Sequence, residues 1–136
     1  KVYGFARAIA LQEGVEGGAL RVIELAALTH DIGIKPSEEK YGSSAGHYQE
    51  MEGPAPAREL LAEAGCPAEE VERVCWLIAH HHTYSDIRAI DHQILVEADF
   101  LVNIYEDGMG PREIASVREK IFKTRTGIRF LDGIYH

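Results

Sequence analysis

Apolar residues recur along this chain with the spacing of α-helices, and this periodicity restricts the possible fold more than any other feature. In residues 19–30 the apolar side chains follow the i, i+3, i+4, i+7 pattern from Ala19 to Ala26, and His30 continues that face four residues later. Comparable helical segments are predicted at residues 2–11, 57–64, 67–82, 91–107, 111–122 and 126–135. No segment shows the valine-rich alternation of a β-strand. The sequence therefore predicts an all-α fold of about six to seven helices, in one domain that spans residues 1–136.

Glycine and proline residues interrupt this helical pattern. Residues 32–46 contain three glycines, three serines and Pro36, with no apolar period, so this segment is predicted to be a loop. A loop of this length is more often a lid or a binding loop than an idle connection. We therefore expect it to contribute to substrate selection.

The composition excludes several classes of protein. With 46% hydrophobic and 26% charged residues the chain has the mix of a folded globular protein. It has neither an apolar run near the ~20 residues that cross a bilayer nor an N-terminal export signal, so no membrane partner is expected. The net charge of -8 disfavours nucleic acid as a partner. Cys66 and Cys75 lack the spacing of a disulfide scaffold or a thiolate zinc site, which predicts a cytoplasmic location.

Histidine and aspartate residues fall on the inward sides of the predicted helices. A helical wheel places His81 and His82 within about 60° of the apolar stripe of their helix, whereas His80 points nearly opposite. Asp99 lies at the edge of the apolar face of the next helix. A carboxylate among apolar neighbours is costly unless a positive charge meets it, and a metal ion is an adequate partner for Asp31 and Asp99 together.

The types of donor indicate which metals such a site would take. Each of these residues alone is explained by packing or by an ion pair, but the set includes an adjacent His30 and Asp31, an isolated His47, a histidine run and an inward Asp99. Mixed imidazole and carboxylate ligands suit Mn, Fe, Co, Ni or Zn better than Ca²⁺, whose sites are built from oxygen donors. The sequence therefore predicts a site for a divalent transition-metal ion.

These motifs, in this order, resemble the HD-domain superfamily of metal-dependent phosphohydrolases. The matching stretches are ELAALTHDIG, GHYQEMEGPAPARELL, LIAHHHT and ILVEADFLVNIYE, which lie within residues 1–107. The resemblance implies a helical domain that hydrolyses a phosphate ester. Its partner would be a small phosphorylated substrate, namely a nucleotide, another small phosphomonoester or a cyclic nucleotide.

The same resemblance implies the functional residues. The ligands of one or two divalent ions would be His30, Asp31, His47, His81 and Asp99, with His82 as an additional candidate. Of these, His30, Asp31 and Asp99 would hold the principal ion, and His47 and His81, with His82 as a further candidate, would serve a second ion. Asp31 would bridge the two ions and is the predicted catalytic residue. Lys35 and Arg88 are candidate phosphate contacts, and both are equally well explained as solvated surface cations.

The sequence departs from the family pattern at its start. The opening histidine of the family precedes a segment like KVYGFA by a few residues, so its position here falls at or before Lys1. We expect residues upstream of Lys1 to supply this ligand. If they do not, the site is one ligand short.

The sequence disfavours two subfamilies of this superfamily and leaves two alternative functions open. The stretch HHHTYSDI lacks the Glu and the Gly-Tyr-Pro run of the HD-GYP phosphodiesterases, and Glu38 and Glu39 lie too far from the HD pair to match the alarmone hydrolases. A metal-bound nucleotide or phosphate sensor without turnover remains an alternative. So does a helical interaction module in which the histidines are packing or pH-responsive groups.

Overall fold

The computed structural model describes residues 1–135, and these residues form nine α-helices without a β-strand. The helices are α1 (Val2–Gln12), α2 (Gly17–Thr29), α3 (Ile34–Tyr41), α4 (Gly46–Glu52), α5 (Pro54–Glu63), α6 (Ala68–His80), α7 (Ile90–Glu106), α8 (Pro111–Lys120) and α9 (Arg125–Ile134). The predicted all-α class is confirmed, and the helices are more numerous than the six to seven expected. Within the described residues, no helix has both the length and the apolar character needed to cross a membrane.

Helix α7 lies at the centre of the structure. Eleven of its residues are buried, among them Ile94, Leu95 and Ala98, so it has little solvent-facing surface. Helices α1 and α2 pack against α7, and α2 and α5 pack against α6. Because α2, α6 and α7 meet in this way, the C-terminal ends of α2 and α6 lie beside the middle of α7.

The prediction of a loop over residues 32–46 is wrong for its first part, which forms α3. This helix buries only Ser37, so it has no apolar stripe from which periodicity could detect it. Pro36 lies in its first turn, where a missing N–H leaves no helix hydrogen bond unmade. Gly42 ends the helix in the left-handed conformation, with φ of 67°.

Two glycines allow α3 to pack close to the junction of α4 and α5. A Cβ atom at Gly33 would lie 2.8 Å from the backbone nitrogen of Gly53 and 2.8 Å from the carbonyl oxygen of Gln49. A side chain at Gly33 would therefore push the α3 backbone away from α4. This close contact places α4, which carries His47 and Gln49, beside the end of α6.

Shortening Val74 to Ala is expected to destabilise the protein without changing its metal content. Val74 is fully buried in α6, so the substitution leaves a cavity and should lower the free energy of unfolding by about 1 to 3 kcal/mol. Urea denaturation followed by the fluorescence of Trp76, the single tryptophan, measures this change. Leu60→Ala on the exposed side of α5 is the control, with a smaller expected loss. An unchanged free energy of unfolding for Val74→Ala would contradict this core.

Candidate metal centre

His30 directly follows α2 and turns its ring into the protein. The residue is 5% exposed, and its Nδ1 lies 2.7 Å from the backbone oxygen of Ala27, one helical turn earlier. A carbonyl oxygen accepts only, so Nδ1 carries a hydrogen and donates it. The other ring nitrogen, Nε2, is thereby turned toward carboxylates of the neighbouring residue and of α7.

The contact between His30 and two carboxylates forms the centre of the candidate site. His30 Nε2 lies 2.9 Å from Asp31 Oδ1 and 3.4 Å from Asp99 Oδ1. Burial lowers the pKa of His30, but the two carboxylates outweigh burial and raise it to about 10. The hydrogen bond with His30 holds the pKa of Asp31 below its usual value. Without a metal ion, these three side chains therefore form an imidazolium with two carboxylates.

The two carboxylates differ in burial, and this corrects one expectation from the sequence. The Asp99 side chain is 7% exposed, as predicted for an acid at the edge of the apolar face. The Asp31 side chain is 62% exposed, so the argument from the cost of burial applies to Asp99 and not to Asp31. Asp31 follows the end of α2 and faces solvent, because no helical face forces it inward.

His81, at the C-terminal end of α6, is fully buried beside His30. Its Nδ1 donates to the backbone oxygen of Ile78 at 2.6 Å, and its ring meets that of His30 edge-on with 5.7 Å between centroids. Burial, together with the neighbouring His82, lowers the pKa of His81 to about 4. Its Nε2 is the one buried side-chain nitrogen or oxygen of residues 1–135 without a hydrogen-bond partner. A neutral imidazole with a buried, unpaired lone pair is a suitable metal ligand.

His82 and His80, on either side of His81, are half-buried. Both ring nitrogens of His82 have protein partners, Gln49 at 3.0 Å and the Tyr84 hydroxyl at 3.1 Å. The His80 ring stacks on Trp76 with 4.0 Å between centroids. The wheel's choice of His81 over His80 is therefore confirmed, whereas His82, which the wheel also placed inward, is only half-buried, as His80 is.

Three predicted site residues lie apart from this cluster. His47 is exposed on α4 with its ring 4.0 Å from that of Tyr48. Lys35 is exposed on α3. Arg88 is exposed and forms an ion pair with Asp86 at 2.9 Å. None of the three lines the cavities at the His30 cluster, within the part of the chain that the structure describes.

Two adjoining cavities reach the candidate site. The first, of about 400 Å³, is lined by Lys1, Val2, Tyr3, Ala27, Leu28, His30, Asp31, Asp99, Val102, Asn103 and Glu106. The second, of about 260 Å³, is lined by Asp31, Ile34, Gln49, His82, Asp99, Asn103, Glu106 and Asp107. Sequence reasoning missed Asn103 and Glu106, although they lie four and seven residues after Asp99 and therefore share its helical face.

The donor types in this cluster fit a divalent transition-metal ion, whereas their present positions are not those of a preformed site. Within residues 1–135 no group of three or more His, Cys, Asp or Glu side chains is arranged to hold a metal ion. In this arrangement His30 Nε2 contacts Asp31 and Asp99 directly, as an imidazolium does. Metal binding to imidazole displaces a proton, so an ion would take the place of the hydrogen on Nε2. The unpaired Nε2 of His81 and the two Nδ1 bonds to carbonyls are the features expected around such an ion.

Comparisons with known proteins concern the family and the fold of this chain. A family model described as HD domain matches residues 1–122. The crystal structure of a predicted HD superfamily hydrolase from an uncultured Thermotogales bacterium is similar to this chain, with a TM-score of 0.68 and 29% sequence identity. The similarity covers 98% of this chain and 69% of that one. A search of curated proteins found no match.

Proposed function

Because this chain belongs to the HD domain family, we propose that it is a metal-dependent phosphohydrolase that hydrolyses a phosphate ester with one or two divalent transition-metal ions. The observation that carries the proposal is the pair of buried imidazoles of His30 and His81. Each donates Nδ1–H to a backbone carbonyl and leaves Nε2 for another partner. Histidines that ligate metals typically hold their second ring nitrogen in this way.

The residues of the candidate site would have different roles in binding the metal ion. His30, Asp31 and Asp99 would hold the principal ion, and His81 would supply a further nitrogen donor. When bound, a divalent ion supplies a Lewis acid for the phosphoryl oxygens and lowers the pKa of its water toward about 7. His47 stays a predicted ligand of a second ion, and its ring would have to leave Tyr48 to reach the cavity.

The acidic lining of the cavities makes phosphate binding depend on the metal. The carboxylates of Asp31, Asp99 and Glu106 face the larger cavity, and Lys1 is the one lysine or arginine among its described lining residues. A free phosphate group would meet net repulsion there, which a divalent cation removes. The cavity volume of about 400 Å³ suits a small phosphorylated substrate, with nucleotides in that class. The predicted cytoplasmic location agrees with such a substrate and stays a prediction.

The test begins with the metal content of protein purified without a chelator or a metal-affinity tag. We expect one or two Mn, Fe, Co, Ni or Zn ions per chain, or uptake of such ions during dialysis against micromolar Mn²⁺ or Fe²⁺. The loaded protein should then release inorganic phosphate from at least one member of a panel of nucleotides, cyclic nucleotides and sugar phosphates. A chain extended upstream of Lys1 should be measured in parallel, because the predicted opening histidine would strengthen binding of the ion.

The other outcomes favour the alternative functions. Stoichiometric metal with tight nucleotide binding and no phosphate release would favour the sensor. Absence of bound metal, and of uptake during dialysis, in both chains would contradict the proposal and favour the interaction module.

A further inference from the structure

The orientation of the Gln49 amide determines which nitrogen of His82 carries hydrogen. Gln49 is buried on α4, and its amide nitrogen donates to the backbone oxygen of Ser44 at 2.7 Å. Its amide oxygen therefore faces His82 Nε2, at 3.0 Å. Since an amide oxygen accepts only, His82 Nε2 must be the donor.

The second nitrogen of His82 completes this hydrogen-bond chain. His82 Nδ1 lies 3.1 Å from the Tyr84 hydroxyl. In a neutral imidazole with hydrogen on Nε2, Nδ1 accepts, so the Tyr84 hydroxyl donates to it. Ser44, Gln49, His82 and Tyr84 thus form a chain in which each of the three contacts pairs a donor with an acceptor.

This arrangement is opposite to that of the two candidate ligands. His30 and His81 carry hydrogen on Nδ1, because Nδ1 faces a backbone carbonyl in each. Their Nε2 atoms can therefore offer a lone pair once His30 loses its second proton. His82 Nε2 could offer one only after its bond to Gln49 is broken, and the lost bond would leave the buried amide oxygen unpaired.

Helix α4 also holds the backbone of His82 and Thr83 in place through hydrogen bonds. Glu50 accepts hydrogen bonds from the His82 backbone N–H at 3.0 Å and from the Thr83 hydroxyl at 2.7 Å. The His82 ring packs 4.0 Å from the His81 ring, centroid to centroid. A Cβ atom at Gly46 would come within 2.8 Å of His82 Cβ, so the ring is held between α4 and His81. His82 therefore supports the buried ring whose Nε2 has no partner.

We propose that His82 is a positioning residue and not a metal ligand: Gln49 holds it with hydrogen on Nε2, and its ring fixes His81 beside His30. This inference rests on the proposed function, because it concerns the same candidate site. It also limits the number of histidine nitrogens that can bind an ion in this conformation. With both His82 nitrogens hydrogen-bonded and His47 exposed, the nitrogen donors left for an ion are those of His30, which lines the larger cavity, and of His81, which is buried beside it and lines neither cavity.

Long-range ¹H–¹⁵N correlation spectra of the histidine side chains test the tautomers directly, on full-length ¹⁵N-labelled protein kept free of metal by a chelator. We expect His82 to carry hydrogen on Nε2 and His81 to carry it on Nδ1. A His82 ring with hydrogen on Nδ1 alone would overturn the proposal. Assignment uses His82→Gln and His80→Gln, each of which removes one set of signals.

Addition of Zn²⁺ to the same labelled protein, after the chelator has been removed by dialysis, separates this proposal from the proposed function. We expect the Nε2 signals of His30 and His81 to shift and those of His82 to stay in place. If His82 Nε2 shifts with them, the positioning role is overturned while the metal site stands. If Zn²⁺ shifts no histidine signal, the proposed function fails, and the role of His82 toward the ion fails with it.

Metal affinity in two variants provides a second test. His82→Gln keeps a donor for Gln49 and a side chain against the His81 ring while it removes the imidazole nitrogens, so the number of ions should be unchanged and the loss of affinity should be smaller than the roughly 10- to 100-fold typical of a lost orienting residue. His82→Ala removes the support of His81 and should weaken binding by about 10- to 100-fold, again without changing the number of ions. His80→Gln, in the adjacent half-buried histidine, is the control and should behave as wild type. The proposal would be overturned if His82→Gln and His82→Ala lost metal affinity equally, or if both variants bound one ion fewer than the wild type.

Discussion

Replacing Asp31 by Ala is expected to abolish stoichiometric metal binding while the protein remains folded. The substitution removes the carboxylate closest to His30 Nε2, at 2.9 Å. Loss of a direct ligand should weaken metal affinity by more than the 10- to 100-fold typical of residues that only orient ligands, roughly 100-fold or more. Under the proposed function, phosphate release should fall to background, because the acidic cavity would hold phosphate only through the ion. Because the Asp31 side chain is 62% exposed, the free energy of unfolding of the metal-free protein should change by less than about 1 kcal/mol.

Asp132→Ala is the matched control for this experiment. Asp132 is also an exposed carboxylate in contact with a basic partner, Arg118 at 2.7 Å, but it lies on α9 away from the cavities of the candidate site. Its loss should leave the metal content and phosphate release unchanged. Elemental analysis and isothermal titration calorimetry measure binding, and urea denaturation measures stability. Unchanged metal content in Asp31→Ala would show that the candidate centre is misplaced.

Helical periodicity was sufficient to predict the buried half of this centre. It placed His30, Asp99 and His81 on inward faces of three different helices, and all three are buried. Periodicity identifies a residue on a helix because the helix determines its direction. Asp31 lies beyond the end of α2, where that rule no longer applies, and its exposure could not be predicted in this way. Its contact with His30 depends on the turn that follows the helix.

Other features depend on contacts between distant segments, which no local pattern contains. The tautomer of His82 depends on Gln49, 33 residues earlier, and Gln49 depends in turn on Ser44. Helix α3 has no apolar stripe, because it packs mainly through backbone contact at Gly33. Such features become visible only when the packing of α4 against α6 is known.

Glu97 on α7 is a buried residue that no pattern in the sequence identifies. It is fully buried, and its carboxylate accepts hydrogen bonds from the backbone N–H groups of Lys123 and Thr124 and from the side chains of Gln93 and Thr124. Several hydrogen bonds to one carboxylate offset the cost of burying its charge. Glu97 therefore attaches the start of α9 to the central helix, two residues from Asp99.

Replacing Gly127 by Ala is expected to break this attachment. A Cβ atom at Gly127 would collide with Glu97 Oε1 and would lie 2.8 Å from the Thr124 hydroxyl. The carboxylate has no room to withdraw, because it is buried and its oxygens are hydrogen-bonded to Thr124 and Gln93. Either α9 moves away or Glu97 loses its partners, and a buried charge without partners costs several kcal/mol. We expect the free energy of unfolding to fall by about 3 to 5 kcal/mol.

Gly133→Ala, in the same helix, separates this collision from the general effect of alanine in a helix. Among residues 1–135, a Cβ atom at Gly133 meets no atom within 4 Å, so the substitution should stabilise the protein by about 0.5 to 1 kcal/mol through helix propensity. Urea denaturation measures the change in the free energy of unfolding that each substitution causes. This change is expected to have opposite signs at the two positions. A stabilising effect of Gly127→Ala would mean that Glu97 does not lie against α9. The two substitutions are chemically identical, so the difference between them measures how strongly the buried carboxylate of α7 holds the C-terminal helix.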